Sequence, residues 1–512
     1  MATGLNYSST SLGDEKLDQQ FEQALRAARE GVREPLPHLV AGKPVTDGDI
    51  FERTDPSRPG NVVALARTAT KRVVDEAVDA ARSAAREWRN LPYTERVALL
   101  RAAKPEFAER ACEIAGVISA ETGKTRVEAL AEAQEAIDLV EQYCSELERH
   151  DGLVTPMRSQ SGERNTDVLR PYGVFGVIAP FNFPVALSVN MAAAALVTGN
   201  TVVLKPSDKT PFSTALAAEI LGRALPEGVL NVVHGGADTG QAIAASSVDG
   251  IAFTGSAAVG WSLVRTLGQG AWARPVLAEM GGQNPAIVTA SADLDAAAEG
   301  IVRSAFGLSG QKCSACRRVV VDRAVHDELV DKLVSRAERL VVGDALDPVT
   351  NLGPVIDGAI AARIDAALDT AAREGTVRTG GRVAGLDGNF FAPVIVTDLP
   401  RGHALTRDEL FAPFLTVTAV DGFDDAIAEA NAVDYGLSAG IFTADTAEQD
   451  RFLDEIEAGV VYVNRREGAT TGAWPGIQSF CGWKASGSTG KGGLGPWYLP
   501  GFCREQSRTI GA

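Results

Sequence analysis

Cysteine is scarce in this chain, with 6 among 512 residues. So thin a supply excludes a disulfide scaffold and fits a reducing, cytoplasmic setting. Histidine is scarcer still. The 5 present are scattered at positions 38, 150, 234, 326 and 403, and no second C-x-x-C accompanies Cys313 and Cys316, so no metal site is expected. Positive charge is also short. Lys plus Arg is 49 against 66 Asp plus Glu, a formal charge of −17 that repels phosphate backbones and argues against general nucleic-acid binding. No G-x-G-x-x-G follows any predicted strand, so the common dinucleotide fingerprint is missing. The single long uncharged run, Pro171 to Leu204, is interrupted by Pro180, Asn182, Pro184, Asn190 and Asn200. These breakers exclude a lipid-facing helix and point to a buried strand, turn, helix and strand. Met1 to Gln20 is polar without an apolar core, so no signal peptide is expected.

What remains is an ordinary globular composition, 45% apolar and 22% charged, at a length that suits several domains of about 100–200 residues. Apolar spacing predicts helices at Leu17–Val32, Glu76–Asn90, Thr94–Ala120 and Arg126–Glu148, a helical layer around a Pro/Gly-rich stretch. From Gly173 short apolar runs alternate with Ala-rich helices. Strands are expected at Gly173–Ala179, Thr201–Leu204, Leu230–Val233 and Gly250–Phe253. Helices are expected at Val185–Val197, Thr210–Leu225, Thr239–Ser246 and from Ser256. A second alternation follows, with strands at Pro285–Val288, Arg318–Val321 and Gly459–Val463 and helices at Ala292–Phe306, Val325–Val342, Asp357–Glu374 and Phe423–Ala432. Strands alternating with helices imply two doubly wound parallel α/β domains. The polar stretch Asp151–Arg170 reads as a linker or as a projecting hairpin used in oligomerisation.

Several short motifs could carry chemistry. In Gly310-Gln311-Lys312-Cys313-Ser314-Ala315-Cys316, small neighbours leave Cys313 approachable, and a thiolate is a strong nucleophile. The same residues read equally as a C-x-x-C redox pair or as inert core. Glu279 closes an apolar run before Gly281 and Gly282, where burial would raise its pKa toward that of a general base; the plainer reading is a strand-end Glu before a turn. Asn182, between Phe181 and Phe183 and two prolines, could donate to an oxyanion or merely satisfy a turn. Lys205-Pro206-Ser207-Asp208 follows a strand, where doubly wound sheets bind nucleotides. Phe253-Thr254-Gly255-Ser256 opens a helix whose N-terminus could receive a pyrophosphate. Asp408-Glu409-Leu410-Phe411-Ala412-Pro413 by itself shows only an acidic stretch meeting a turn.

The order of these motifs from Pro180 to Pro413 resembles the NAD(P)-dependent aldehyde dehydrogenase superfamily, over about Leu39 to Ile510. The resemblance implies roles. Cys313 is the nucleophile, Glu279 activates the deacylating water, and the Asn182 amide holds the oxyanion with the Cys313 N–H. Lys205 and Asp208 bind the adenosine ribose, Ser256 the pyrophosphate, and Glu409 and Phe411, with Phe181, the nicotinamide half. The cofactor implied is NAD, with NADP possible; the partner is a small-molecule aldehyde, and the assembly a homodimer or homotetramer without membrane or nucleic acid. The implied division is a nucleotide-binding domain (1–150 and 172–281), a catalytic domain (282–485) and a bridging oligomerisation element (151–171 and 486–512).

Within the superfamily, G-Q-K-C-S-A and the stretch Asn464-Arg465, Thr471-Gly472-Ala473, Gln478, Phe480, Gly482, Lys484 and Lys491-Gly492-Gly493 look like 1-pyrroline-5-carboxylate (glutamate semialdehyde) dehydrogenases. There Ser314, Gly472 and Ala473 would hold a substrate carboxylate, with Phe480 beside them. Gln283 stands where Lys is usual, Phe181 where Trp is usual and Ala412 where Gly is usual. Ser479 and Cys481 replace a common Pro and Gly, and the loop from Arg465 to Thr471 is a few residues long. These departures touch the aldehyde pocket and leave Asn182, Cys313 and Glu279 in place. A general aldehyde or other semialdehyde dehydrogenase, a CoA-acylating relative and a binding protein that kept the fold without activity are the alternative readings.

Overall fold

A computed structural model of the chain describes residues 6, 7, 9, 13–30, 34–467 and 474–511. The amino-terminal half is a helical layer on a sheet. Asp14 accepts from the Lys16 and Leu17 N–H groups and caps α1 (Glu15–Arg29). Val32, which the sequence places in this helix, lies outside the described residues. The strands β1 (His38–Val40) and β2 (Lys43–Val45) form a hairpin whose turn residues Ala41 and Gly42 both have positive φ, as a type I′ turn requires. A second hairpin pairs β3 (Ile50–Asp55) with β4 (Arg58–Arg67). Both replace the featureless Pro/Gly-rich stretch expected there; strands this short carry too little alternation to be read from sequence. In α2 (Lys71–Asn90) Val73, Val74, Ala77, Val78, Ala81, Ala85 and Trp88 form the buried face, and Thr70 caps the helix.

The helix expected over Thr94–Ala120 is three helices: α3 (Tyr93–Arg101), α4 (Lys104–Glu109) and α5 (Ala111–Thr122). Pro105 is the reason. It has no N–H to give the preceding turn, so the chain restarts there with proline in the first turn of α4. The long α6 (Arg126–Arg149) opens on a capping box between Thr125 and Glu128. Phe21, Trp88, Phe107, Ile114, Ile118 and Tyr143 pack together in the core beneath these helices.

Two strands, β5 (Val154–Pro156) and β6 (Glu163–Pro171), form an antiparallel pair. The first large sheet is then built from β7 (Val174–Ile178), α7 (Pro184–Val197), β8 (Thr201–Lys205), α8 (Pro211–Arg223), β9 (Leu230–Val232), α9 (Ala237–Ala245), β10 (Gly250–Gly255), α10 (Ala257–Gly268) and β11 (Val276–Met280). The strand order β11-β10-β7-β8-β9-β1-β2 is parallel from β11 to β9, with the β1–β2 hairpin added antiparallel at the edge. The order reverses at β7, so the loops after β7 and β10 flank the crevice where doubly wound sheets take ligands.

Later in the chain β17 (Tyr435–Gly436) and β20 (Trp483–Lys484) pair separately and β21 (Cys503–Gly511) forms a tail strand, while the second sheet is built from β12 (Asn284–Val288), α11 (Leu294–Phe306), β13 (Cys316–Asp322), α12 (His326–Ala337), α13 (Gly358–Glu374), β14 (Thr376–Arg382), β15 (Phe391–Thr397), β16 (Phe414–Val420), β18 (Ser438–Phe442) and β19 (Val460–Val463). The order of this second sheet is β14-β15-β16-β13-β12-β18-β19, parallel except for the edge strand β14. The helix α12 ends at Ala337, short of the expected Val342, because the chain turns back to bridge Val342 with Leu352. Strands β14, β15, β16 and β18 are additions to the sequence reading. The tail strand β21 pairs along the whole of β6, from Cys503 opposite Pro171 to Gly511 opposite Glu163. Asp151–Arg170 therefore belongs to a three-stranded sheet with the tail. Among the described residues no helix is long and apolar enough to cross a membrane.

Helices α7 and α8 both begin on proline and have no N-cap side-chain bond of their own. Buried carboxylates of the helical layer supply the acceptors. Glu132 Oε1 takes the Val185 and Ala186 N–H groups at 2.8 and 3.2 Å. Glu121 takes those of Phe212 and Ser213 at 2.8 and 2.9 Å. Glu132 is also paired with the fully buried Lys124 ammonium. Glu132→Leu strands that cation and two N–H groups at once, and is expected to cost about 3–5 kcal/mol, read as a lower urea midpoint. Adding Lys124→Met should restore part of the loss; equal midpoints for the single variant and the parent would refute the arrangement.

Candidate active site

Cys313 lies on the loop between α11 and β13. Three successive residues before it, Leu308, Ser309 and Gly310, have positive φ, so the chain coils left-handed on its way to the cysteine. Gly310 is required there, since a Cβ would meet the Ala412 carbonyl oxygen at 2.2 Å. Arg317 staples the loop, donating to the Ala412 carbonyl at 2.6 Å, to that of Lys312 at 3.1 Å and to that of Gly310. Asn284 Nδ2 holds the Cys313 and Ala315 carbonyls at 2.8 and 2.9 Å.

Glu279 is the fourth residue of β11, and its side chain is buried. Its Oε1 accepts the Gly493 N–H at 2.7 Å. Burial nonetheless pushes its pKa up to about 7, against the lowering effect of that hydrogen bond. Cys313 and Glu279 line one cavity together with Ser314, Phe480, Gly493, Leu494, Thr254 and Asn190. Burial, then the nearby charges of Glu409 and Glu279, pushes the Cys313 thiol up to about 12, while the Ser314 and Cys313 N–H groups pull the other way. Asn182 is buried beside this site, outside the cavity wall; its Nδ2 donates to the Gln311 carbonyl at 3.0 Å, two residues before the cysteine. Cys316 is turned away into the core of the second sheet, where its thiol bonds the Arg318 carbonyl at 3.6 Å. That placement disfavours the redox-pair reading.

The other candidate residues form a second cluster at the carboxyl edge of the first sheet. Lys205 ends β8, and its buried ammonium donates to the Pro206 and Gly235 carbonyls at 2.7 and 2.9 Å. Burial pulls its pKa down to about 8. Asp208 is exposed; a Cβ on Gly236, which precedes α9, would come within 3.5 Å of its carboxylate. Ser256 is the exposed N-cap of α10, its side chain making no cap bond. One turn on, Gly260 admits no side chain, because a Cβ would strike Met280 Sδ at 2.3 Å. Glu409 is half-buried and accepts the Gly282 N–H at 3.1 Å, and a Cβ on Gly281 would lie 1.9 Å from its carboxylate. Phe411, with φ of 57°, stands edge-on to Phe181 at 5.8 Å. Gly472 and Ala473 lie outside the described residues.

The aldehyde dehydrogenase family model matches residues 45–507. The chain belongs to the aldehyde dehydrogenase family. Among curated relatives, 1-pyrroline-5-carboxylate dehydrogenase 1 of Halalkalibacterium halodurans is 36% identical over 96% of this chain and 95% of its own length. The 1-pyrroline-5-carboxylate dehydrogenase of Bacillus subtilis is 35% identical over 96% of both. Among solved structures, a 1-pyrroline-5-carboxylate dehydrogenase from Thermus with bound NAD superposes with a TM-score of 0.93 at 31% identity, covering 98% of this chain and 97% of that one. The two doubly wound α/β domains are those of this aldehyde dehydrogenase fold.

Sequence reasoning missed several parts of the cavity. Tyr7, Glu135, Asn190 and Leu494 line it without belonging to any motif, and Lys312 was read only as part of G-Q-K-C. Glu135 lies on α6 and Tyr7 lies 128 residues away from it, so no local pattern joins them. The raised thiol pKa has a direct consequence. Iodoacetamide labelling of Cys313, followed by peptide mass spectrometry, is expected to climb about tenfold per pH unit from pH 7 to 10. A plateau near pH 8 would show a thiolate already formed.

Proposed function

We propose that this aldehyde dehydrogenase oxidises glutamate semialdehyde to glutamate with NAD through a cysteine thiohemiacetal and thioester. The observation that carries the reading is that Cys313 and Glu279 line one and the same cavity. The curated relatives above support the choice of substrate. The cavity wall also carries both signs, Glu135 and Lys312, which suits an aldehyde bearing an ammonium and a carboxylate. Ser314 is the residue nearest Cys313 in sequence that could take the carboxylate, with Gly472 and Ala473 completing the anchor and Phe480 as an apolar wall.

The carboxyl edge of the first sheet fits a dinucleotide. The N-termini of α9 and α10 have no side-chain caps and so offer free N–H groups, Gly260 keeps the start of α10 narrow, and Lys205 and Asp208 stand beside them. Lys205 and Asp208 would hold the adenosine ribose, Ser256 the pyrophosphate, and Glu409, Phe411 and Phe181 the nicotinamide half. Bound there, NAD supplies a hydride acceptor and a positive charge. The negative charge of Asp208 stands where a 2′-phosphate would lie, which favours NAD over NADP.

The chain's own groups do the rest. Cys313 Sγ bonds the aldehyde carbon after its proton leaves. The Asn182 amide and Cys313 N–H stabilise the oxyanion, preorganised by the bond to Gln311. After oxidation Glu279 takes a proton from water, which attacks the thioester, and the acid leaves as Cys313 is restored. A carboxylate raised to about 7 is ionised only above that pH, so the hydrolytic step gains as pH rises through 7.

We also assign 1–150 and 172–281 to nucleotide binding and 282–485 to catalysis. The three-stranded sheet within 151–171 and 486–512 is the oligomerisation element of a homodimer or homotetramer. The exposed Val154, Met157 and Ile510 on or beside that sheet support self-association. Six free cysteines support a cytoplasmic setting.

NADH release should be much faster, as kcat/KM, with glutamate semialdehyde than with an uncharged aldehyde of similar length, and should vanish in Cys313→Ala. Preference for the uncharged aldehyde would overturn the substrate while leaving the chemistry. Glu279→Gln should give a burst of NADH followed by slow turnover, and should lose the rise in rate centred near pH 7. Loss of the burst itself would place Glu279 in the first step instead.

A further inference from the structure

Tyr7 is a half-buried group with no part in the chemistry above. It sits in a turn near the amino end, where the Ser9 N–H donates to the Asn6 carbonyl at 3.0 Å and the Asn6 N–H to Ser9 Oγ at 3.2 Å. Its hydroxyl donates to Glu135 Oε2 at 2.5 Å. Its ring meets Phe183 and Trp474 edge-on at 5.4 and 5.6 Å, and Lys312 Nζ lies 5.7 Å from its centroid. Trp474 is itself fixed, its Nε1–H donating to Asp138 at 2.9 Å.

Tyr7, Glu135, Phe183 and Lys312 line the same cavity as Cys313. That cavity holds only about 70 Å³. Small-molecule sites commonly hold about 300–1,000 Å³. Tyr7 thus brings an aromatic ring into a space whose other walls include the helical layer, α7 and the catalytic loop. Two aromatic rings, one carboxylate and one ammonium surround it, a set that fixes a ring in one place.

We propose that Tyr7 is a specificity-determining residue of the aldehyde cavity, its ring limiting how far a substrate can extend from Cys313. The inference rests on Cys313 being the reacting group. With the ring in place a short aldehyde fits and a long or bulky one does not; with the ring removed the cavity opens toward Glu135 and Phe183.

Two full-length variants test this, Tyr7→Ala and Tyr7→Phe. The first measurement needs no turnover: labelling of the Cys313 peptide by N-phenylmaleimide relative to iodoacetamide, resolved from the partly exposed Cys112 and Cys481. Tyr7→Ala should raise that ratio about tenfold, and Tyr7→Phe should keep it within twofold of the parent. The second is the kcat/KM ratio of octanal to propanal, which Tyr7→Ala should raise roughly tenfold or more, the low end of what a pocket wall discriminates. A labelling ratio within twofold of the parent in Tyr7→Ala overturns the proposal. An equal rise in Tyr7→Phe overturns the ring as the determinant and assigns the effect to the bond with Glu135. If the parent oxidises no aldehyde at all, the functional reading fails while the labelling ratio still judges the role of the Tyr7 ring.

Discussion

Two buried glutamates of the helical layer are the constraint on which the rest of the site depends. Helices α7 and α8 start on Pro184 and Pro211, and each leaves backbone N–H groups inside the protein without a local cap. An uncapped buried N-terminus is expensive, and the carboxylates of Glu132 and Glu121 relieve it. The same bonds fix where α7 begins, and so fix the turn Phe181-Asn182-Phe183 immediately before it. Lys124, paired with Glu132, lies 3.7 Å from the centre of the Phe183 ring, so the capping group, its counter-ion and a cavity wall form one unit. The desolvation that makes this arrangement costly shows in Glu121, whose pKa burial raises to about 7 despite three hydrogen bonds.

The active site is assembled by backbone approach as much as by side chains. Gly310 presses on Ala412, Gly282 on the Cys313 carbonyl, Gly281 on Glu409 and Gly492 on the Phe480 carbonyl. The contacts of Gly310, Gly282 and Gly492 are with backbone and leave no room for a Cβ, whereas Gly281 meets the far end of the Glu409 side chain. Positive φ at Leu308, Ser309 and Phe411 shows strain held by these surroundings, with Arg317 supplying much of the restraint. Three ionisable groups, Cys313, Glu279 and Glu409, are thereby crowded into a desolvated space, and all three are displaced toward their protonated forms.

Much of this was open to reading in the sequence, because the signals were local. The alternation from Gly173 onward follows from strands buried on both faces between amphipathic helices, and the nucleotide-side strands and helices stand within a few residues of their expected places. The order of short motifs around Asn182, Lys205, Ser256, Glu279, Cys313 and Glu409 marked the family, since each depends on residue types at fixed spacing. The breaks at Pro105, the hairpins before α2 and the edge strands of the second sheet escaped, because short strands carry little periodicity and a proline in a helical pattern can start a helix as well as end one.

What only the tertiary structure decided is which of these local pieces meet. The family resemblance groups 151–171 with the tail, but nothing local in the sequence sets the register of β21 on β6, seats the Gly493 N–H on Glu279, or turns Cys316 inward while Cys313 lines the cavity. Nothing local joins Tyr7 to Glu135 across 128 residues. The physical reason is that hydrophobic periodicity and motif spacing encode an element's type and its buried face. The partners of a buried polar atom are instead chosen by packing, once water has been excluded and every such atom requires an acceptor or donor close at hand.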